Sequence, residues 1–185
     1  MADNYRAIYR VFNIIYQPNN VDPELILSLD AQKAFDRIEY NYLFTALERF
    51  GFGPTFCAWI KILYRAPQAS VRTNKIISDY FPLSRGTRHG CPFSPQIFHI
   101  AFEPLAIMLR TTNLVGVQRA GHSHKVSLYA DNLILFPSDP CTTIPIALEL
   151  ITKFGQISGY KLNLTKSILF PINDKARQMS FQDFP

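Results

Sequence analysis

The stretch VSLYADNLILF, residues 126–136, limits what this chain can fold into more than any other. Two apolar runs flank a small polar tip, Ala130-Asp131-Asn132. Asp and Asn both tolerate positive φ, so the tip suits a tight hairpin between antiparallel strands. A second short apolar run, ELILSLDA (24–31), is followed by charge and reads as a buried strand. It too carries an acid near its end, Asp30. A carboxylate in such a place needs a partner for its charge, and a divalent cation is one. If strand and hairpin are neighbours in one sheet, Asp30 and Asp131 converge on one point. Two carboxylates completed by substrate phosphates are the usual way a protein holds Mg²⁺. Plain hairpin chemistry accounts for the same tip, and spacing does not choose between the two.

The rest of the chain sets the class. Apolar residues at helical spacing (Ile8, Val11, Phe12, Ile15) predict a helix over 4–17, ended by Pro18-Asn19-Asn20. Asp36-x-x-Glu39 has the pattern of a capping box, opening a helix that runs to Phe50 and stops at Gly51 and Gly53. A helix over about 55–65 carries Trp59, Ile62 and Leu63 on one face, and strands are expected near 69–74 and 79–83. Ser94-Pro95 reads as an N-cap and first-turn proline, opening a helix to about Arg110 that Pro104 should kink. Further elements are a helix over about 144–157 and a last strand near 167–171. Strands and helices mix without the regular alternation of a parallel sheet, so the expected class is α+β, an antiparallel sheet with helices on one face.

Composition narrows the partners. Hydrophobic residues make up 48% and aromatics 14%, which suits a packed domain. No apolar run approaches the roughly 18 residues that span a bilayer. The N-terminus lacks a signal peptide's cleavage site, so an intracellular protein, nuclear or cytoplasmic and not secreted, is expected. Three cysteines with no C-x-x-C pair argue against a disulfide framework and against a zinc site. Net charge is +5, and Lys61, Arg65, Arg72, Lys75, Arg85 and Arg88 face a single acid, Asp79, between residues 61 and 89. Such a segment suits a polyanion. Within SRGTRHGCPFSP (84–95), Gly86 and Gly90 alternate with Arg85 and Arg88 ahead of a helix start. Glycine admits close backbone approach, arginine forks onto phosphate, and a helix start offers N–H groups.

Four segments, LSLDAQKAFDRIE, FPLSRGTRHGCPFSP, SLYADN and FGQISGYKLNLTKS, resemble in order and spacing motifs A, B, C and D of reverse transcriptases. The resemblance is closest to the LINE-type, non-LTR retrotransposon branch, and runs from about residue 4 to about residue 170. It implies a polymerase palm that copies an RNA template onto a DNA primer from deoxynucleoside triphosphates, with Mg²⁺ or Mn²⁺. By position, Asp30, Asp131 and Asn132 fall at the metal. Ala31 and Phe35 fall at the nucleotide, with Phe35 under the sugar and the backbone of 31–34 near the triphosphate. Arg85, Arg88, His89 and Gly90 fall along template and primer. Lys166 matches the motif D lysine proposed to protonate pyrophosphate, ahead of Lys161, while Asp36 stays a helix cap. Residues 1–22 would be a remnant of the fingers, 23–172 the palm and 173–185 a tail. That is an incomplete hand with no thumb, as in a truncated copy. No membrane partner is implied, and oligomeric state is not legible.

Two positions depart from the family pattern: Asn132, where Asp is usual, and His89, where Gln is usual. Asn keeps a carbonyl oxygen but loses a negative charge. Beside a divalent ion that loss is worth roughly 10²-fold or more in rate. Some viral RNA polymerases work with an Asp-Asn pair here. Two readings therefore stand side by side: an RNA-directed DNA polymerase domain, and a degenerate palm that binds nucleic acid without chemistry. A ferredoxin-like RNA-binding domain is disfavoured, because no strand carries its aromatic signature.

Overall fold

The structure is a computed structural model, and it describes residues 11–17, 21–88, 90–129 and 131–179. They fall into two compact units. One draws on the described residues up to Gln32, within 105–153 and from Lys161 onward, the other on those within 33–104 and on Phe154–Tyr160. The first ten residues of the expected fingers remnant, and the last six of the expected tail, lie outside the described residues.

The first unit is built on an antiparallel sheet of four strands, β1 (Leu25–Ala31), β8 (Val126–Tyr129), β9 (Asn132–Leu135) and β10 (Leu162–Pro171), in the order β10-β1-β9-β8. Alternation sorts its faces. Leu25, Leu27, Leu29 and Ala31 are buried, as are Leu133 and Leu135 of β9. Leu105, Ala106 and Leu109 of helix α5 (Ser94–Thr111) and Ile144, Ala147 and Ile151 of helix α6 (Pro140–Ser158) are also buried in this unit. The opposite positions, Ile26 and Ile134, pack with Val11 against a second cluster of Ile14, Val117, Phe136 and Ile172. Residues 11–16 are helical (α1), and Ile14 and Val11 are their apolar contribution to that cluster.

A buried ion pair ties this unit together. Arg119 donates from both terminal nitrogens to the two oxygens of Glu24, at 2.8 and 2.5 Å, and also to the Ile14 carbonyl at 3.1 Å. Arg119 ends a short hairpin, β6 (Val117–Arg119) with β7 (His122–His124), whose Ala120-Gly121 turn has positive φ at both residues. Asn173 caps helix α7 (Asp174–Arg177), accepting from the Ala176 N–H at 2.9 Å, and accepts the Glu24 N–H as well.

The second unit holds helices α2 (Ala34–Arg37), α3 (Tyr40–Arg49) and α4 (Pro54–Leu63) and four two-residue strands, β2 (Gln68–Ala69) to β5 (Phe81–Pro82). Stacked and edge-on rings of Phe98, Phe102, Phe154 and Tyr160 fill its centre. Two sequence expectations change here. The expected helix from Asp36 to Phe50 is broken at Ile38, whose backbone is extended, and neither Lys33 before α2 nor Glu39 before α3 makes a side-chain cap. In α4 the apolar face turned inward is Cys57, Ile60 and the following Tyr64, while Trp59, Ile62 and Leu63 are exposed. Helix α6 also begins earlier than expected, with Pro145 accommodated inside it.

Candidate functional site

The carboxylate corner lies in the first unit, and the pairing of its strands builds it. Strand β1 pairs with β9 as Leu27↔Leu135, Ser28↔Ile134 and Leu29↔Leu133, and the β8–β9 hairpin closes on Tyr129↔Asn132. Continued by one residue, the register sets Asp30 across from Asn132. Paired residues share a face, about 5 Å apart. Asp131 stands at the hairpin tip beside Asn132, and Ala130 lies outside the described residues. Asp30 and Asp131 are half-buried and Asn132 is exposed. Two carboxylates and an amide carbonyl make a hard oxygen donor set, the kind Mg²⁺ or Mn²⁺ takes. Among the described residues no group of three or more His, Cys, Asp or Glu is placed to hold a metal. Such a donor set is short of a closed structural site and would need further oxygen donors to hold an ion.

On its other side Asp30 meets an irregular strand. β10 pairs Ser28↔Ile168 and then Asp30↔Asn163, so extra residues of β10 bulge opposite Leu29. The Ser167 hydroxyl bridges the gap, accepting the Asp30 N–H at 3.3 Å and donating to the Asn163 carbonyl at 2.9 Å. Lys166 lies in this bulge and is exposed. Sequence reading missed Ser167. A polar residue opening the run expected to be strand, 167–171, was the available signal.

In the second unit the glycine–arginine loop docks on the segment that carries Phe35. The Gly86 N–H donates to the Ile38 carbonyl at 2.8 Å, and the Thr87 N–H donates to the Phe35 carbonyl at 2.6 Å. The Thr87 hydroxyl adds a second bond to that carbonyl at 3.2 Å, and Tyr40 donates to the Arg85 carbonyl at 3.1 Å. Burial pushes the Tyr40 hydroxyl's pKa up, in keeping with a donor. Arg85 pairs with Glu39 at 3.9 Å on an exposed surface, a contact worth little by itself. Arg88 and Gly90 are exposed, Gly90 with φ +78°, and His89 lies outside the described residues. Phe35 is half-buried, its ring stacked on Phe98 at 4.2 Å between centroids. Ala31 closes β1 with its side chain buried, and the Gln32 N–H is already bonded to the Lys161 carbonyl.

At the start of α5 the Cys91 thiol is held below its ordinary range, first by the Phe93 N–H, then by Ser94 and Arg88. The loop thus favours negative charge where the helix begins.

Comparison with known proteins identifies the family and the fold. Residues 6–181 match the family model described as reverse transcriptase (RNA-dependent DNA polymerase). A transposon TX1 uncharacterized 149 kDa protein of Xenopus laevis is 34% identical over 76% of this chain and 11% of its own length. A retrovirus-related Pol polyprotein from the type-2 retrotransposable element R2DM of Drosophila melanogaster is 27% identical over 83% of this chain and 14% of its own. The chain thus spans a small part of these relatives. In fold it is similar to apo telomerase from Candida tropicalis, truncated from its C-terminal domain, with TM-score 0.64, 12% identity and coverage of 90% of this chain and 34% of that one. Telomerase from Candida albicans, in complex with a fragment of telomeric RNA, gives TM-score 0.59 at 14% identity over 92% of this chain and 30% of that one. The chain belongs to the reverse transcriptase (RNA-dependent DNA polymerase) family, on its non-LTR retrotransposon branch, with an α+β, palm-like fold.

Proposed function

We propose that this chain is the palm, residues 23–172, of an RNA-directed DNA polymerase that extends a DNA primer on an RNA template. The observation that supports the reading is the β1–β9 register, whose last pair, Leu29↔Leu133, adjoins Asp30 on one strand and Asn132 on the other. Asp30 and Asp131 would hold Mg²⁺, or Mn²⁺, with the Asn132 carbonyl as a neutral third donor. When bound, such ions lower the pKa of the primer hydroxyl and neutralise charge on the leaving pyrophosphate. In the reaction, the 3′ hydroxyl gives its proton to solvent, its oxygen bonds to the α-phosphorus, and the bond to pyrophosphate breaks.

The remaining roles belong to the chain's own side chains. Lys166 is exposed and gives a proton toward pyrophosphate. Ala31 offers backbone beside the triphosphate, and Phe35 packs under the sugar and excludes a 2′-hydroxyl. Arg85, Arg88, His89 and Gly90 line the path of template and primer, an assignment supported by the basic character of 61–89. No helix among the described residues is long and apolar enough to cross a membrane.

Asn132 favours a second reading, a palm that binds nucleic acid without chemistry, because it withdraws one negative charge from the corner. Primer extension on an RNA template with Mg²⁺ and with Mn²⁺ separates the two. The catalytic reading expects slow extension by the chain and roughly 10²-fold faster extension by Asn132→Asp. If Asn132→Asp adds no nucleotide, the catalytic reading fails, and a salt-dependent gel shift then decides whether binding survives.

A further inference from the structure

The Phe35 segment does not hold itself in place. Helix α2 is a single turn of four residues, entered through Lys33 in the left-handed region and without a side-chain cap. One turn cannot repay the entropy of its own nucleation, so its position is set from outside. Four hydrogen bonds link the 85–87 loop to residues 35–40, and two of them end on the Phe35 carbonyl itself. Packing reinforces them. Gly86 has φ +92°, and a Cβ there would stand 3.0 Å from the Cα and carbonyl oxygen of Asp36. Thr87 is buried at 7% exposure, and the ring of Phe35 is backed by Phe98, which is fully buried.

We infer that Gly86 and Thr87 are positioning residues for Phe35, and through it determine selectivity for deoxyribonucleoside over ribonucleoside triphosphates. The inference rests on the proposed placement of Phe35 under the sugar. Thr87 anchors the Phe35 backbone, and Phe98 closes off one side of the ring. Gly86 is the only residue type that lets the loop come this close. Any residue with a Cβ at 86 must push Asp36 away, and the adjoining Phe35 moves with it. A ring displaced by a few tenths of an ångström no longer meets a 2′-hydroxyl with the same repulsion.

The test measures binding of dATP and of ATP to the full chain carrying an RNA template and a DNA primer, with Ca²⁺ present so that no chemistry follows. The wild-type chain is expected to prefer dATP about tenfold or more, as a site built against one hydroxyl does. Phe35→Ala should bring the ratio close to unity, and Gly86→Ala should do the same. Thr87→Val, which loses one of two bonds to the carbonyl, should reduce the ratio about threefold, and Thr87→Ser should keep it. Circular dichroism confirms folding of each variant, and if Gly86→Ala does not fold, the Thr87 pair decides. A ratio lost in Phe35→Ala but unchanged in the folded Gly86 and Thr87 variants overturns the inference alone. A wild-type chain with no preference, or with no uptake of either nucleotide, overturns the placement of Phe35 and the inference with it.

Discussion

The carboxylate corner and the Phe35 turn are held by opposite means. At the corner, Asp30 belongs to a seven-residue strand paired on both sides, so its place follows from backbone ladders. Alternation alone decides which face it shares with Asn132. The Phe35 turn has no ladder. Its carbonyls are taken by a loop some fifty residues away in sequence, and its far side is met by the turn after α6. There the Ser158 carbonyl accepts the Glu39 N–H at 3.0 Å, and a Cβ on Gly159 would come within 2.3 Å of the Arg37 carbonyl oxygen. A regular sheet spreads positional control over many equivalent bonds. A docked turn concentrates it in a few atoms, so single substitutions should move it further.

The largest difference is expected at Gly159. Its φ of +79° suits the residue after a helix, and an added methyl meets backbone that cannot rotate away. Gly159→Ala should lower stability by about 3 kcal/mol, read as a shifted denaturation midpoint. A loss as small as that of an ordinary surface substitution would break the contrast. The matching change at the corner is Ser167→Ala, which removes the acceptor of the Asp30 N–H. With ladders on both sides still in place, the loss should be about 1 kcal/mol. A loss equal to that of Gly159→Ala would show the corner to depend on its bulge as much as the turn depends on its loop.

The smallest effect concerns charge at the base of the same loop. Because the Phe93 N–H, Ser94 and Arg88 favour the Cys91 thiolate, its folded pKa lies below that of the unfolded chain. Its contribution to stability is therefore present above the unfolded value and lost as pH falls through the folded one. Alkylation of Cys91 by iodoacetamide should reach half its maximal rate at a lower pH in the folded chain than in urea. Coincident profiles would show the helix start to be electrostatically neutral.

The same contrast explains what could be read from the sequence. The strand that carries Asp30 and the hairpin that carries Asp131 were legible because period-two alternation and turn chemistry are local, and four motifs in order named the family. The hairpin of Val117–His124 was not read, because His122, Ser123 and His124 carry no apolar alternation, and only the Ala-Gly turn marks it. Nothing local announces that Arg119 will find Glu24, since the pair is joined by topology. Helix α7 is one turn held by Asn173 and was passed over for its length. The capping box at Asp36 misled for a related reason. The local pattern favours a helix through Ile38, but the extended Ile38 offers its carbonyl to Gly86, and a tertiary bond overrides the local preference. Trp59, Ile62 and Leu63 show the limit of periodicity, which finds an apolar face without saying which of two faces is buried.

The central claim is that Asp30 and Asp131 converge on one cation and that Asn132 weakens its hold. Titration of Mn²⁺ into the chain, followed by the loss of the free-ion electron paramagnetic resonance signal, tests it without requiring turnover. The account predicts measurable binding by the chain, a loss of about tenfold or more in both Asp30→Asn and Asp131→Asn, and a gain of about tenfold in Asn132→Asp. Mn²⁺ binding that is the same in the chain, in Asp30→Asn and in Asn132→Asp would contradict it.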